Sequence, residues 1–352
     1  MKKVLIILLM ASFLISCQKA GEPGENYTGE KAVVSGGSGI GPLNMYRWTS
    51  MEVPQVNTYP YTRSEMENLV IPVGEDIYLV AGTYLDFRYK LNNTTKKWEV
   101  HTTTNSGYMG FASFTVGFQY LFSYGGQIYL GLMQNGPSFN ETYFGTMDPV
   151  TGVTHTKATF PGITTANPVC FVLGSKGYLI SGYTAQSPSQ VWEYNFITDQ
   201  WTNKGVSPLG NRDGAVAMVA NGKVYLGLGY ITQTLNGTPV KLYKKDWIEY
   251  TPGSSFNISK ADFPGAARSF AKGFVLNGNP YLGLGERGTT YYTDFWKYDP
   301  ASNSWAQQDN VPGYTPDTPK NSGCFVSGTA GYVVKGVLAE FWRFSQSSIV
   351  AN

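Results

Sequence analysis

The sequence predicts an all-β chain folded as a six-bladed β-propeller. Three observations predict it: a composition of many glycines and aromatics with few charges, a phrase that recurs six times at near-constant spacing, and a last repeat that lacks its final strand. Of 352 residues 41 are Gly and 15% are aromatic, while only 14% are charged, against roughly 25% charged in an ordinary soluble domain. Such a chain suits short strands joined by tight turns. With 26 Lys+Arg against 24 Asp+Glu the net charge is +2, which gives no electrostatic footprint for nucleic acid. Closed all-β architectures extend past about 200 residues as one unit, so one large domain accommodates the length.

The first residues read as an address. Lys2 and Lys3 precede an apolar run from Val4 to Ile15, too short to span a hydrocarbon layer of about 30 Å. The run ends in Leu14-Ile15-Ser16-Cys17. This ending resembles the lipobox of bacterial lipoproteins, which implies a signal peptide over 1–16 and a lipid on Cys17. Acyl chains there would tie the domain to a bilayer, each buried CH₂ contributing about 0.8 kcal/mol. The implied location is the outer membrane of the bacterial envelope, facing the periplasm or the surface. Residues 17–44 carry the lipidated Cys and a Gly- and Pro-rich stretch without hydrophobic period, expected to be a flexible tether. Gly36 to Gly41 imitates a phosphate loop, but Pro42 follows and no strand precedes it.

The propeller is expected over 45–352. Its first phrase runs apolar residue, Tyr, apolar residue, small residue and Gly, as in Ile77-Tyr78-Leu79-Val80-Ala81-Gly82 and Val224-Tyr225-Leu226-Gly227-Leu228-Gly229. The tyrosines are 78, 129, 178, 225, 281 and 332, spaced by 51, 49, 47, 56 and 51 residues. That period suits four strands per blade. A second phrase supplies a third strand, a turn and a fourth strand: Val191-Trp192-Glu193-Tyr194-Asn195 before Trp201, and Phe295-Trp296-Lys297-Tyr298-Asp299 before Trp305. Trp192, Trp247, Trp296 and Trp342 fall in or near third strands, and Trp48, Trp98, Trp201 and Trp305 in fourth strands. Repeated aromatics of this kind are expected between packed sheets. The sixth copy ends near its third strand, Phe341-Trp342-Arg343-Phe344, while Met45-Tyr46-Arg47-Trp48 has the character of the missing fourth. Residues 45–53 are therefore expected to close the ring, removing its exposed edges.

The Tyr-x-x-Gly-Gly-like element, then Trp-x-Tyr-Asp, then Trp resembles the kelch repeat, with Arg212 and Arg268 thirteen residues before their blade tyrosines as kelch blades often have. The resemblance covers about 45–345 and implies the propeller fold. Galactose oxidase is similar at blade level, but a copper site of that kind needs converging His ligands and a Cys–Tyr cross-link. Only His101 and His155 are present, His155 in a predicted outermost strand and His101 just after one. Neither a metal nor another cofactor is expected. Cys170 and Cys324 occupy equivalent slots of innermost strands in opposite blades, where others place Val70, Leu121, Ala217 and Gly273. They are expected to act as small hydrophobes rather than as a disulfide.

A meander of four strands opens two loop sets on one face: those leading into first strands and those joining second to third. The first set offers Arg63, Asn167, Arg212, Asp213, Arg268 and Lys320, and the second Tyr84, Gln134, Tyr230, Glu286 and Arg287. Cations around Tyr and Glu suit a carboxylated or polyhydroxylated ligand, since Arg holds a carboxylate with two parallel hydrogen bonds. The other reading of Arg212 and Arg268 is that they pair with acids inside the ring. Three functions are compatible with the residues. The expected one is a lipid-anchored binding protein, monomeric, holding a glycan or protein partner. The alternatives are an enzyme of the sialic acid mutarotase type, suggested by the secreted six-bladed kelch proteins of that class, and a structural subunit of an outer-membrane complex.

Overall fold

A computed structural model describes residues 45–52, 69–81, 87–102, 115–135, 142–162, 167–180, 188–254, 257–313, 322–335 and 340–347. The address and tether lie outside them. Every sheet is antiparallel, and the described residues contain no helix. Blade 1 comprises β2 (Leu69–Val73), β3 (Asp76–Ala81), β4 (Phe87–Leu91) and β5 (Trp98–Thr102). Blade 2 comprises β6 (Thr115–Tyr124), β7 (Gln127–Asn135), β8 (Thr142–Met147) and β9 (Thr154–Thr156). Blade 3 comprises β10 (Val169–Leu173), β11 (Lys176–Ile180), β12 (Gln190–Asn195) and β13 (Gln200–Val206).

Blade 4 has β14 (Val216–Ala220), β15 (Lys223–Gly227), β18 (Trp247–Tyr250) and β19 (Asn257–Ser259); an extra hairpin of β16 (Tyr230–Leu235) and β17 (Thr238–Tyr243) is inserted between its second and third strands. Blade 5 has β20 (Lys272–Leu276), β21 (Asn279–Gly283), β24 (Phe295–Asp299) and β25 (Ser304–Gln308), with a shorter insert of β22 (Glu286–Arg287) and β23 (Thr290–Tyr291). Blade 6 has β26 (Gly323–Ser327), β27 (Ala330–Lys335) and β28 (Glu340–Ser347). Its fourth strand is β1 (Met45–Met51), which pairs along its whole length with β28, from Met45 opposite Ser347 to Met51 opposite Phe341. Each innermost strand touches those of the blades before and after it, and β26 returns to β2, so the six sheets close as a propeller.

The six phrase tyrosines are all buried in second strands. Tyr194 and Tyr298 are fully buried, and Trp201 and Trp305 pack on them with ring centroids 4.9 Å apart in both blades. The indoles also donate across to the preceding blade's exit, Trp201 Nε1 to Ala158 O and Trp305 Nε1 to Ala261 O. The repeated aromatics are thus core rather than sugar platforms. His155 lies in the fourth strand β9, as expected; His101 lies within β5 rather than after it. Cys170 and Cys324 occupy the predicted slots, opposite Leu179 and Val333. Both are free thiols, and burial pushes both thiol pKa values up, Cys324 to about 12.

Candidate functional site

On the face where the chain enters first strands and leaves second strands, the upper face, the sequence Gly-Leu-Gly ends the second strand of blades 4 and 5. Leu228 and Leu284 adopt left-handed backbone, with φ of 57° and 56°. This conformation is costly for a branched side chain, and both leucines are held there by burial. At the preceding Gly227 and Gly283, a Cβ would run into the carbonyl oxygens of Asp246 and Asp294. These two glycines therefore permit the close approach that starts each third strand.

An arginine locks each kink. Arg268 Nη1 donates to Leu284 O at 2.9 Å and to Asp294 Oδ1 at 2.6 Å, while Nη2 reaches Asp294 Oδ2 at 2.8 Å and Nε reaches Ala266 O at 2.9 Å. Its guanidinium lies 4.0 Å from the Tyr292 ring centroid and 4.9 Å from that of Phe263. With an exposure of 0%, Arg268 is occupied by the fold, which corrects its expected place on a ligand-facing surface. Arg212 is its counterpart but is less completely held. Its Nη1 meets Asp246 Oδ1 at 2.6 Å and Leu228 O at 3.3 Å, and its buried Nε finds no partner among the described residues. Of the two readings of these arginines, pairing with acids describes both. Blade 6 makes the same kind of contact from another position: Lys335, buried, donates to Pro312 O at 2.8 Å and lies 3.7 Å from Glu340.

Four other expected residues come together between blades 4 and 5. Asp213 and Tyr230 form an isolated bridge, and Ser269 and Glu286 repeat it one blade on. The Tyr230 hydroxyl donates to Asp213 Oδ2 at 2.6 Å. Burial, reinforced by that hydrogen bond and by the charges of Asp213 and Glu286, raises the Tyr230 pKa well above the ordinary phenol value. The phenol therefore remains protonated at neutral pH. Arg287 projects from the blade 5 insert, 5.8 Å from the Tyr243 ring centroid. Asn167 is half-buried with φ 52°, just before β10. Gln134 lies in β7 opposite Val116. Arg63, Tyr84 and Lys320 fall outside the described residues.

Sequence reasoning missed Asp246, Asp294, Lys241, Tyr243 and Lys335. The acids carried a readable signal: Asp246, Asp294 and Glu340 each stand directly before the aromatic residue that opens or nearly opens a third strand. Asp294 and Glu340 also accept the indole N–H two residues on, from Trp296 at 2.8 Å and Trp342 at 3.0 Å. Lys241 and Tyr243 carried none, because their placement depends on how the β16–β17 hairpin folds. Among the described residues no cluster of His, Cys, Asp and Glu could hold a metal ion.

No family profile matches the chain. Over 110 residues, 30% of its length, the chain is 31% identical to the N-acetylneuraminate epimerase of Salmonella arizonae. Over stretches of the same length it is 30% identical to the N-acetylneuraminate epimerases of Salmonella enteritidis and Salmonella typhi. It spans only about a quarter of the length of these curated relatives, 25% of the first and 26% of the other two.

Proposed function

We propose that this chain is a sugar-directed propeller whose upper face takes an acidic sugar of the N-acetylneuraminate class. The observation that carries this reading is the likeness to N-acetylneuraminate epimerases on a six-bladed propeller. The cluster between blades 4 and 5 supports it with aromatic surface, hydrogen-bonding groups and cations on one wall. The signal-like start ending at Cys17 supports the further reading that the propeller works at the cell envelope, tied to the membrane by lipid. Replacing Cys17 with Ser should abolish labelling by a radioactive fatty acid in cells, and undiminished labelling would remove the anchor.

Turnover is the second reading, favoured by the name of the relatives and by the groups present. Interconverting anomers through ring opening requires a proton to leave the anomeric hydroxyl and another to reach the ring oxygen. A carboxylate can carry such a proton if it reaches the substrate, and Glu286, half-buried at the start of the blade 5 insert, supplies that group. Proton NMR on the full chain in detergent, with N-acetylneuraminate added, tests both readings in one tube. Saturation transfer reports binding, and exchange between anomer signals reports turnover. Binding with unaccelerated exchange leaves a binding protein, whereas accelerated exchange makes it an epimerase. Absence of both signals would overturn the sugar reading and turn attention to a protein partner.

A further inference from the structure

Two cations in the blade 4 and blade 5 inserts sit on rings instead of acids. Lys241 Nζ lies 4.3 Å from the Tyr230 ring centroid, and the Arg287 guanidinium 5.8 Å from that of Tyr243. The two rings are neighbours, with centroids 5.5 Å apart. Both cationic residues are exposed, and neither has an ion-pair partner among the described residues.

The rings beneath them are fixed at their hydroxyls. Tyr230 donates to Asp213, and Tyr243 accepts from the backbone N–H of Gly288 at 2.9 Å. The second bond also ties the β16–β17 hairpin to the β22–β23 insert. Cross-strand pairing of Tyr230 with Tyr243 sets the ring spacing, and that of Thr232 with Lys241 places the lysine one step along the same hairpin. Among the described residues, the carboxylates whose charge acts on this aromatic pair are Asp213 and Glu286, both at Tyr230. Asp213 is committed to the Tyr230 hydroxyl. A rigid aromatic floor with two uncommitted cationic heads loses little freedom on capturing an anion. A solvent-exposed cation resting on an aromatic face is held only weakly, whereas a carboxylate offers a charge-assisted hydrogen bond.

We propose that Lys241 and Arg287, standing on the Tyr230–Tyr243 pair, form the carboxylate-binding and specificity-determining part of the upper face. The carboxylate of an acidic sugar is held between the two heads, with Arg287 able to take both oxygens, while the apolar edge of the sugar ring rests on tyrosine. This inference rests on the sugar reading above and adds which residues select the acid over a neutral sugar.

Isothermal titration of the full chain in detergent, with N-acetylneuraminate and with its methyl ester, tests it. The ester keeps the ring and loses the charge. The wild type is expected to bind the acid at least about tenfold more tightly than the ester, as one lost charge-assisted contact implies. Lys241→Gln and Arg287→Gln should each weaken binding of the acid by about tenfold and leave the ester unchanged, with the preference falling as salt rises. Both side chains are exposed, so unfolding temperatures should match the wild type and exclude misfolding as the cause. Wild-type affinity for the acid in both variants would overturn the assignment of these residues and leave the sugar reading intact. Equal loss of acid and ester would overturn the charge-selective role. A wild type that binds neither compound would overturn the sugar reading and this inference with it.

Discussion

At the residue scale, the paired arginines show how the same sequence position acquires different energetic weight. Arg268 is fully buried in a two-pronged contact with Asp294, whereas Arg212 meets a half-exposed Asp246, at side-chain exposures of 8% and 42%, through one nitrogen. Removing one partner of a buried ion pair costs about 3–5 kcal/mol, while a pair open to solvent contributes about 0–1 kcal/mol. Arg268→Ala should therefore lower unfolding free energy by several-fold more than Arg212→Ala in denaturant titrations. Comparable losses would mean that the Asp294 contact does not govern the difference. Lys335 makes a pH-dependent contribution. Burial, opposed by Glu340, lowers its pKa to about 8, below the roughly 10.4 of an unfolded lysine. Between those values the unfolded chain binds the additional proton, so this residue makes stability rise with pH from about 8 to about 10.4. Relative to Lys335→Met, the wild type should gain stability across that window in melts taken at stepped pH. A pH-independent difference between the two proteins would place the amine in a solvated setting.

At the element scale, ring closure depends on β1. Trp48 packs against Phe344 (tilted) and Phe295 (edge-on) with centroids 4.8 and 5.2 Å away, and its Nε1 donates to Asp309 O at 2.9 Å. Residues separated by 261 positions are thereby joined. Deleting Met45–Met51 would leave β28 with an unpaired edge that recruits other chains. Light scattering should show aggregation of the deletion variant at concentrations where the intact chain remains dispersed; a dispersed variant would show that β1 is dispensable for closure. The kinks after the second strands are sensitive for a different reason. A methyl group at Gly283 would meet Asp294 O and the Phe295 ring, and overpacking of this kind costs roughly 1–3 kcal/mol. Gly283→Ala should lower the unfolding temperature, whereas an Ala at Gly288, where a Cβ meets no atom within 4 Å, should cost only the strain of its left-handed backbone, φ 63°.

At the scale of the whole molecule, burial of tyrosine couples the core to alkaline pH. Burial raises the phenols of Tyr281 and Tyr298 to about 12, and raises Tyr178, Tyr194 and Tyr230 as well. Folded phenols retain protons that the unfolded chain releases near pH 10, so stability falls as pH rises past about 10. Circular dichroism should show cooperative alkaline unfolding accompanied by tyrosinate absorbance; tyrosinate appearing at pH 10 in a still-folded protein would contradict the burial of these rings.

The recurrent Tyr and Trp positions revealed the fold because each blade needs the same apolar wedge in the same place, and a fixed covalent period of four strands leaves that need visible in the sequence. The expected closing strand was legible for the same reason: Tyr46 and Trp48 supplied aromatics that the last repeat lacked. Arg212 and Arg268 were visible as a repeated feature, but not their commitment to Asp246 and Asp294, which lie 34 and 26 residues downstream. Lys241 and Tyr243 lay in an insertion that breaks the repeat, so no blade-to-blade comparison could mark them. The sequence by itself determined the number of blades, their strand order and the residues that fill their core, because hydrophobic burial acts through local periodicity. Only the tertiary structure decided which charged groups are sealed in ion pairs and which stand over aromatic rings, because that depends on through-space distances between two inserts that the chain places 45 residues apart.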